Sequence, residues 1–471
     1  MIFRRLYHEG LAQASYLIAC EATRQAVVVD PLRDPGIYRR AAARDDVRIA
    51  YVTETHLHAD FLSGAEALAT DAGAALLLSA AARDDATAAR LRRTRARPLH
   101  DGDVVQVGRV RLEARHTPGH TPEHLIFVVT DEAIGELPVG LLSGDFLFAG
   151  DVGRPDLLER AVGVKGSMHA AAAELFHALQ AMRSLPEYLQ VWPGHGAGSA
   201  CGKSLGAVPQ TTLGYEIRTN WAFQVHDEAT FVGQVLADQP EPPAYFATMK
   251  RLNAAGVPPM PAQPHGDAES LRRAIARGAR VVDARTPAAF LAGHLEGAIL
   301  VPLGRSFVSW AGSVLDPTEE SVLVLAPEDV PLAAGAIHDL ALIGFDRVLG
   351  AISAAALLPD PPRAIARLRT MPAAKIGEEQ GATVLDVRAE SEWSDGHIPG
   401  ALNIPLARLP GRIAELRESG PIVVHCQGGA RSAIAASVLQ AAGFAEVVNA
   451  EGGYDAWARA HRAVGAGERS R

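Results

Sequence analysis

The chain has 471 residues, of which 48% are hydrophobic and 21% charged. That is the range of an ordinary globular protein and excludes a disordered, collagenous or coiled-coil chain. Lysine and arginine number 45 against 54 aspartates and glutamates, a formal charge of −9, so no basic surplus points to nucleic acid or anionic lipid. At ~150 residues per domain the length suggests about three domains. No run approaches the ~18 apolar residues of a membrane span, and Met1 to Ala19 is broken by His8, Glu9 and Gly10, so no membrane segment and a cytoplasmic location are expected. Three cysteines, Cys20, Cys201 and Cys426, cannot form a disulfide framework. Ten of the 17 histidines lie in the first 200 residues, which puts histidine chemistry at the front.

In chain order, short apolar runs precede turn signals: Ala26–Val29 before Asp30, Ile49–Val52 before Thr53, Leu125–Val129, and Leu141-Leu142 before Ser143. Helical stretches from Gly64 to Ala72 and from Ala170 to Met182 separate them, an α/β pattern of buried sheets covered by helices. Pro240, Pro242, Pro243, Pro258, Pro259, Pro261 and Pro264 mark a linker or irregular crossing, and Pro359, Pro361 and Pro362 mark a second boundary. Beyond the first boundary the chain repeats itself. Val281-Val282-Asp283-Ala284-Arg285 is echoed by Val384-Leu385-Asp386-Val387-Arg388, and Gly293-His294 by Gly396-His397, with eleven residues from aspartate to histidine in both. Two copies of one α/β unit of ~100 residues account for this. The expected organisation is an α/β multidomain chain with domains at 1–246, 265–360 and 370–463.

Thr55-His56-Leu57-His58-Ala59-Asp60 follows an apolar run, so several nitrogen and oxygen donors leave one rigid strand end. His116-Thr117-Pro118-Gly119-His120, Ser143-Gly144-Asp145 and Trp192-Pro193-Gly194-His195 follow in order. The set resembles the metallo-β-lactamase-fold superfamily, whose motifs sit at strand ends around the mouth of an αββα sandwich. Dinuclear hydrolases of that superfamily, such as glyoxalase II, carry histidine directly after the motif's aspartate. Here that residue is Phe61, which cannot ligate. Asp60 and His195 alone then make a poor second site. His56, His120 and Asp145 remain, two histidines and one carboxylate, the facial triad of non-haem Fe(II) oxygenases with positions left open. The arrangement resembles the persulfide dioxygenase branch, which implies one Fe(II) per chain.

His58, Asp60 and His195 would orient ligands or hydrogen-bond metal-bound water, with a purely structural Asp60 as the other reading. Phe146 to Leu157 resembles the segment lining the substrate pocket in that branch, and Arg154 matches a substrate-holding position. It would be a bidentate cation for a thiol carrier's carboxylate, the bland reading being a surface salt bridge. Cys201 either holds a persulfide near the iron or is a small packed residue. Cys20 is expected to be an inert buried thiol. His8, His100, His124, His169 and His177 lack such context and are expected to be structural or surface residues.

Near the C-terminus, Val423-Val424-His425 runs into Cys426, followed by Gln427, Gly428, Gly429, Ala430, Arg431 and Ser432. Inward N–H groups of such a loop, the following helix N-terminus and the Arg431 charge favour a thiolate at Cys426. This loop, the Asp386–Pro405 segment and Gly452-Gly453-Tyr454-Asp455-Ala456-Trp457 resemble a rhodanese domain. The resemblance implies Cys426 and Arg431 as catalytic residues, with Gln427, Gly428, Gly429, Ala430 and Ser432 cradling the sulfur. The middle copy has Ala326 where the cysteine belongs, with acidic Glu328 and Asp329, and is expected to be silent.

Together these resemblances imply a persulfide dioxygenase and thiosulfate sulfurtransferase. A small persulfide on glutathione, coenzyme A or a similar thiol, with O₂, would give sulfite at the iron. Cys426 would pass sulfane sulfur to sulfite, forming thiosulfate. The rivals are a Zn-dependent thioester hydrolase and a non-catalytic persulfide carrier or sensor. A homo-oligomer is compatible with the sequence; a nucleic-acid partner is not expected.

Overall fold

A computed structural model describes the chain except residues 82–84, 161, 162, 164, 165, 200, 204, 265, 380, 418, 419 and 468–471. It divides into two compact units, Met1–Met260 and Pro261–Arg471.

The first unit stacks two six-stranded sheets. One runs in sequence order through β1 (Ile2–His8), β2 (Gln13–Ala19), β3 (Gln25–Val29), β4 (Arg48–Thr53), β5 (Ala75–Ser79) and β6 (Arg97–Leu99). The other contains β7 (Val104–Val107), β8 (Val110–His116), β9 (Leu125–Asp131), β10 (Gly140–Gly144), β11 (Gln190–Pro193) and β12 (Thr211–Thr212), in order β12-β11-β10-β9-β8-β7. Val27, Val29, Leu112, Phe127, Val129 and Leu142 fill the space between the sheets. Helices Pro35–Arg44 and Ala65–Ala72 cover the first sheet's outer face through Tyr38 and Leu68, and Met168–Met182 packs Leu175 and Leu179 against the second. Both faces of β2 and β9 are therefore buried, which is why these strands read as nearly unbroken apolar runs.

The unit extends past the expected boundary at residue 246. Helix Phe246–Ala255 belongs to it, and the buried Arg33 donates from Nη2 to the carbonyls of Pro258 (3.0 Å) and Pro259 (2.9 Å). This part of the proline-rich stretch is thus clasped onto the unit, because prolines that cannot join a ladder still offer carbonyl acceptors.

In the second unit, β13 (Arg280–Asp283), β15 (Ile299–Leu300), β16 (Ser321–Leu325) and β17 (Val348–Ser353) form a parallel sheet in order β15-β13-β16-β17. A second parallel sheet has order β19-β23-β22-β20-β21, from β19 (Arg369–Pro372), β20 (Thr383–Asp386), β21 (Leu402–Asn403), β22 (Ile422–His425) and β23 (Val447–Glu451). The two copies expected as separate domains form one compact unit. Among the contacts that tie them, Leu300 N–H donates to Ser437 Oγ (2.9 Å) on helix Ala430–Ala441, and β14 (His294–Leu295) pairs with β18 (Ile365–Ala366) in the segment that joins the copies. Residue 265, the expected start of the middle domain, lies outside the described residues. Among the described residues no helix is long and apolar enough to cross a membrane.

Candidate metal centre and sulfur-carrier loop

Four strand exits converge in the first unit. His56 follows β4, His120 follows β8, Asp145 follows β10 and His195 follows β11. The donor atoms of His56, His120 and Asp145 lie within 4.8 Å of one another, all buried. Asp145 Oδ2 is 3.9 Å from His56 Nε2, 3.5 Å from His120 Nε2 and 3.3 Å from His195 Nε2. Both Asp145 oxygens and His195 Nε2 are buried without hydrogen-bond geometry to any partner. Converging buried donors that do not satisfy one another are what a cation between them requires, so the residues fit a metal.

Hydrogen bonds behind the ligands fix which nitrogen faces inward. Thr55 Oγ1 donates to Asp30 Oδ2 (3.0 Å), so at 2.9 Å it accepts from His56 Nδ1, leaving the lone pair on Nε2. His195 Nδ1 donates to Ala12 O (3.1 Å), with the same effect. Burial pushes His56 and His120 below the ordinary histidine range, so both present neutral lone pairs. Burial works against the Asp145 carboxylate, but His195 and His120 outweigh it and hold its pKa below the usual value.

His124 was expected to be structural or superficial. It is fully buried and braces the site: its Nε2 accepts the Asp145 N–H (3.1 Å) and its Nδ1 pairs with Thr117 Oγ1 (2.9 Å). Gly144 lets it approach, because at φ +49° a Cβ there would lie 2.6 Å from Thr55 Oγ1 and 2.8 Å from His124 Nε2. Asn253 was also missed, since nothing local in the sequence ties it to the site. Its Nδ2 donates to the carbonyls of His58 and Phe61, both 2.8 Å, and its Oδ1 accepts Ser63 N–H (2.9 Å), pinning the loop behind His56.

His58 stands aside from the donor cluster, its Nε2 3.1 Å from Asp30 Oδ1 and its ring between those of His56 and Phe61. Asp60 faces His195, Oδ2 to Nε2 being 3.2 Å, with both its oxygens lacking hydrogen-bond partners. Asp60 and His195 do not stand alone as expected. Cys201 joins them, and the three donor atoms lie within 4.8 Å of one another, all buried. Burial, reinforced by Asp60, pushes the Cys201 thiol up to about 12.

Arg154 is not a surface residue. It is fully buried, and Nε and Nη2 donate to the two oxygens of Asp156 at 3.0 and 2.8 Å. That edge of the guanidinium reaches a substrate carboxylate only if Asp156 lets go. Cys20 is buried as expected, but it is not electrostatically inert: burial raises its pKa, while hydrogen bonds from the Arg109, Thr23 and Ala22 backbone outweigh it and lower the thiol to about 7.

In the second unit, β22 ends at His425 and the chain turns through Cys426–Gly429 into helix Ala430–Ala441. Gly429 adopts φ +111°, which turns its N–H onto Cys426 Sγ (3.1 Å). Ser432 Oγ lies 3.7 Å from the same sulfur and donates to Gly429 O (3.0 Å). Gln427 is held at both ends of its amide, by Arg388 Nη1 (3.0 Å) and Asp455 Oδ1 (2.5 Å). Gly428 and Ala430 are exposed at the rim. Arg431, expected to favour a thiolate at Cys426, has its guanidinium on Glu392 at 2.6 and 2.7 Å. The backbone supplies the direct contact to sulfur.

The metallo-beta-lactamase superfamily model matches residues 8–195, and a rhodanese-like domain model matches 373–460. A solved metallo-beta-lactamase from Staphylococcus aureus subsp. aureus COL is 38% identical, covers 75% of this chain and 99% of its own, and superposes with a TM-score of 0.67. The chain belongs to the metallo-beta-lactamase superfamily. Persulfide dioxygenase ETHE1, mitochondrial, of Homo sapiens is 28% identical over 203 residues, 41% of this chain and 68% of that protein. A sulfurtransferase of Allochromatium vinosum is 34% identical over 85 residues, 18% of this chain and 79% of the relative. This superfamily member therefore joins a front unit homologous to persulfide dioxygenases with a C-terminal rhodanese-like domain homologous to a sulfurtransferase, and the homologies support an enzyme.

Proposed function

We propose that the chain oxidises a small persulfide with O₂ at one iron held by His56, His120 and Asp145, and that Cys426 carries sulfane sulfur from it. The observation that carries this reading is the buried two-histidine, one-carboxylate cluster with unsatisfied donors. Ferrous iron, when bound, supplies the unpaired electrons that ground-state O₂ needs to react with a sulfur substrate. The protein's part is to hold Nε2 of two neutral histidines inward and to exclude water with Phe61, Phe148 and Tyr245, all buried. The balanced overall reaction is RSSH + O₂ + H₂O → RSH + SO₃²⁻ + 2H⁺. Asp60, His195 and Cys201 form the adjoining wall, beside which the persulfide chain would lie, with His58 orienting Asp30 and thereby Thr55 and His56.

At the rear, the Cys426 thiolate attacks the outer sulfur of a persulfide. The S–S bond breaks, the thiol leaves with the proton, and a persulfide remains on Cys426. Attack by sulfite on that outer sulfur releases thiosulfate and restores the thiolate. Gly429 N–H and Ser432 Oγ stay on the sulfur throughout, with Gln427, Gly428 and Ala430 shaping the rim and Arg431 holding it through Glu392. Segment 267–358 is assigned as a rhodanese-like copy without a nucleophile, the working parts being 1–260 and 370–463.

The test is anaerobic metal loading followed by O₂ uptake with glutathione persulfide. One iron per chain, sulfite as product and loss of uptake in His120→Ala are expected. A second reading is favoured by the Asp60–His195–Cys201 cluster: a two-metal thioester hydrolase. Two tightly bound zinc ions, with hydrolysis of S-lactoylglutathione and no O₂ uptake, would establish it instead.

A further inference from the structure

A persulfide brought in on a charged thiol needs a cation at the mouth of the metal centre that no protein carboxylate already holds. The candidates are few. Arg154 is bound to Asp156. Lys203 donates to Ala237 O (3.0 Å) and lies 3.6 Å from Asp238. Arg90 is buried between Glu54 (2.6 Å) and Glu66 (3.2 Å). Each charge is compensated within the fold.

Lys250 differs. It lies on helix Phe246–Ala255, whose buried face is Phe246, Met249 and Asn253. Asn253, three residues on, places that face against the loop through its bonds to His58, Phe61 and Ser63. Positions i and i+3 share a helix face, so Lys250 projects from the side that meets the metal-binding loop. It is half-buried and makes no hydrogen bond or ion pair among the described residues. A half-buried ammonium without a counterion is costly unless an anion arrives with the substrate.

We propose that Lys250 binds an anionic group, carboxylate or phosphate, of the thiol that carries the persulfide, so that the site prefers charged carriers over uncharged ones. This rests on the persulfide reading of the metal centre. A four-carbon stem with three rotatable donors suits such a carrier, because the ammonium follows the anion without demanding bidentate geometry. Lys250 is then a specificity residue that leaves the chemistry at sulfur unchanged.

The iron-loaded full chain is compared as parent, Lys250→Gln and Lys250→Arg with three donors: glutathione persulfide, coenzyme A persulfide and uncharged 2-hydroxyethyl persulfide. In Lys250→Gln, KM for the charged donors rises about tenfold, the value of one charge-assisted contact, and kcat changes by less than about twofold. KM for 2-hydroxyethyl persulfide does not move, Lys250→Arg recovers most of the loss, and iron content is equal in all three. The charged donor with the larger shift identifies carboxylate or phosphate as the group read. An equal shift for charged and uncharged donors, or none for either, overturns the proposal. Calorimetric binding of S-methylglutathione to the metal-loaded protein separates the two readings. Loss of that binding in Lys250→Gln upholds the role of Lys250 even if the parent consumes no O₂, whereas parent and variant binding alike overturns it.

Discussion

The two copies in the second unit share a scaffold and differ in the one loop that matters. In both, an arginine two residues after a strand-end aspartate folds back on it: Arg285 Nη2 is 2.6 Å from Asp283, and Arg388 Nη2 is 2.7 Å from Asp386. Each also donates to a glycine carbonyl, Gly293 at 2.8 Å and Gly396 at 2.7 Å. His294 stacks on Phe290 with ring centroids 3.7 Å apart, and His397 on Trp393 at 3.8 Å. The exits of β16 and β22 then diverge. After β22, Gly429 turns left-handed and its N–H closes on Cys426; after β16, Ala326 leads into the short 3₁₀ helix Pro327–Leu332. Proline has no N–H to offer, and Glu328 and Asp329 stand in the first turn, an arrangement that works against an anion. The arginine–aspartate clamp is common to both copies; the loop backbone is where they differ.

The largest expected effect separates the copies outright. Cys426→Ser should lower sulfur transfer about a thousandfold or more, because a hydroxyl with no accessible anion forms no persulfide. O₂ uptake should persist, with sulfite as the main product. Initial rates of thiosulfate formation, corrected with an enzyme-free control, check this; parent-like rates would move the transfer step to Cys201.

Installing a thiol in the other copy tests whether the loop matters more than the residue. Ala326→Cys in a Cys426→Ser background should stay below about 1% of parental transfer, since a thiolate there lacks the N–H contacts and faces acidic neighbours. Strong transfer would show that the 3₁₀ turn opens into a cradle.

Gly429→Ala should reduce transfer about tenfold with little loss of fold, the left-handed backbone costing an alanine ~1–2 kcal/mol. Steady-state transfer alongside thermal unfolding separates the two effects.

Breaking either clamp should cost stability alike but activity unequally. Arg285→Met and Arg388→Met each strand a buried aspartate, a loss of about 3–5 kcal/mol. Only Arg388 also steadies Gln427, so only its variant should slow transfer beyond the fraction unfolded. Denaturant melts paired with rates normalised to folded protein are the measurement.

The smallest effect concerns pH. Burial raises the Glu392 pKa, but the bond and charge of Arg431, with the Ala389 N–H and Arg388, together outweigh this and hold it below the ordinary value of 4.5. Its contribution is present above that ordinary value and is lost as pH falls through the depressed one. Glu392→Gln, which can still accept the Ala389 N–H, should flatten the acid limb of the unfolding curve, while the parent weakens there.

Much of this was legible in the sequence because strands that end in ligands leave a local mark. The run before Thr55, the glycine before Asp145 and the apolar β22 before Cys426 are contiguous patterns, and they place His56, Asp145 and Cys426 at strand exits. The eleven-residue interval from aspartate to histidine likewise marked the repeated scaffold. For Arg154 and Arg431 the sequence shows a charge but not its partner, which leaves both a substrate-holding role and a salt bridge open for Arg154. The fold supplies those partners, the carboxylates of Asp156 and Glu392.

The sequence by itself determined the donor types, the order of the strands that deliver them and the copy that carries a thiol. Periodicity and spacing are set by backbone geometry over a few residues, so they survive in one dimension. Only the tertiary structure decided that Cys201 meets Asp60 and His195, that His124 braces Asp145 and that Asn253 pins the loop at His58 from 195 residues away. These contacts depend on which side chains packing brings together after the sheets have closed, and no spacing along the chain encodes that approach.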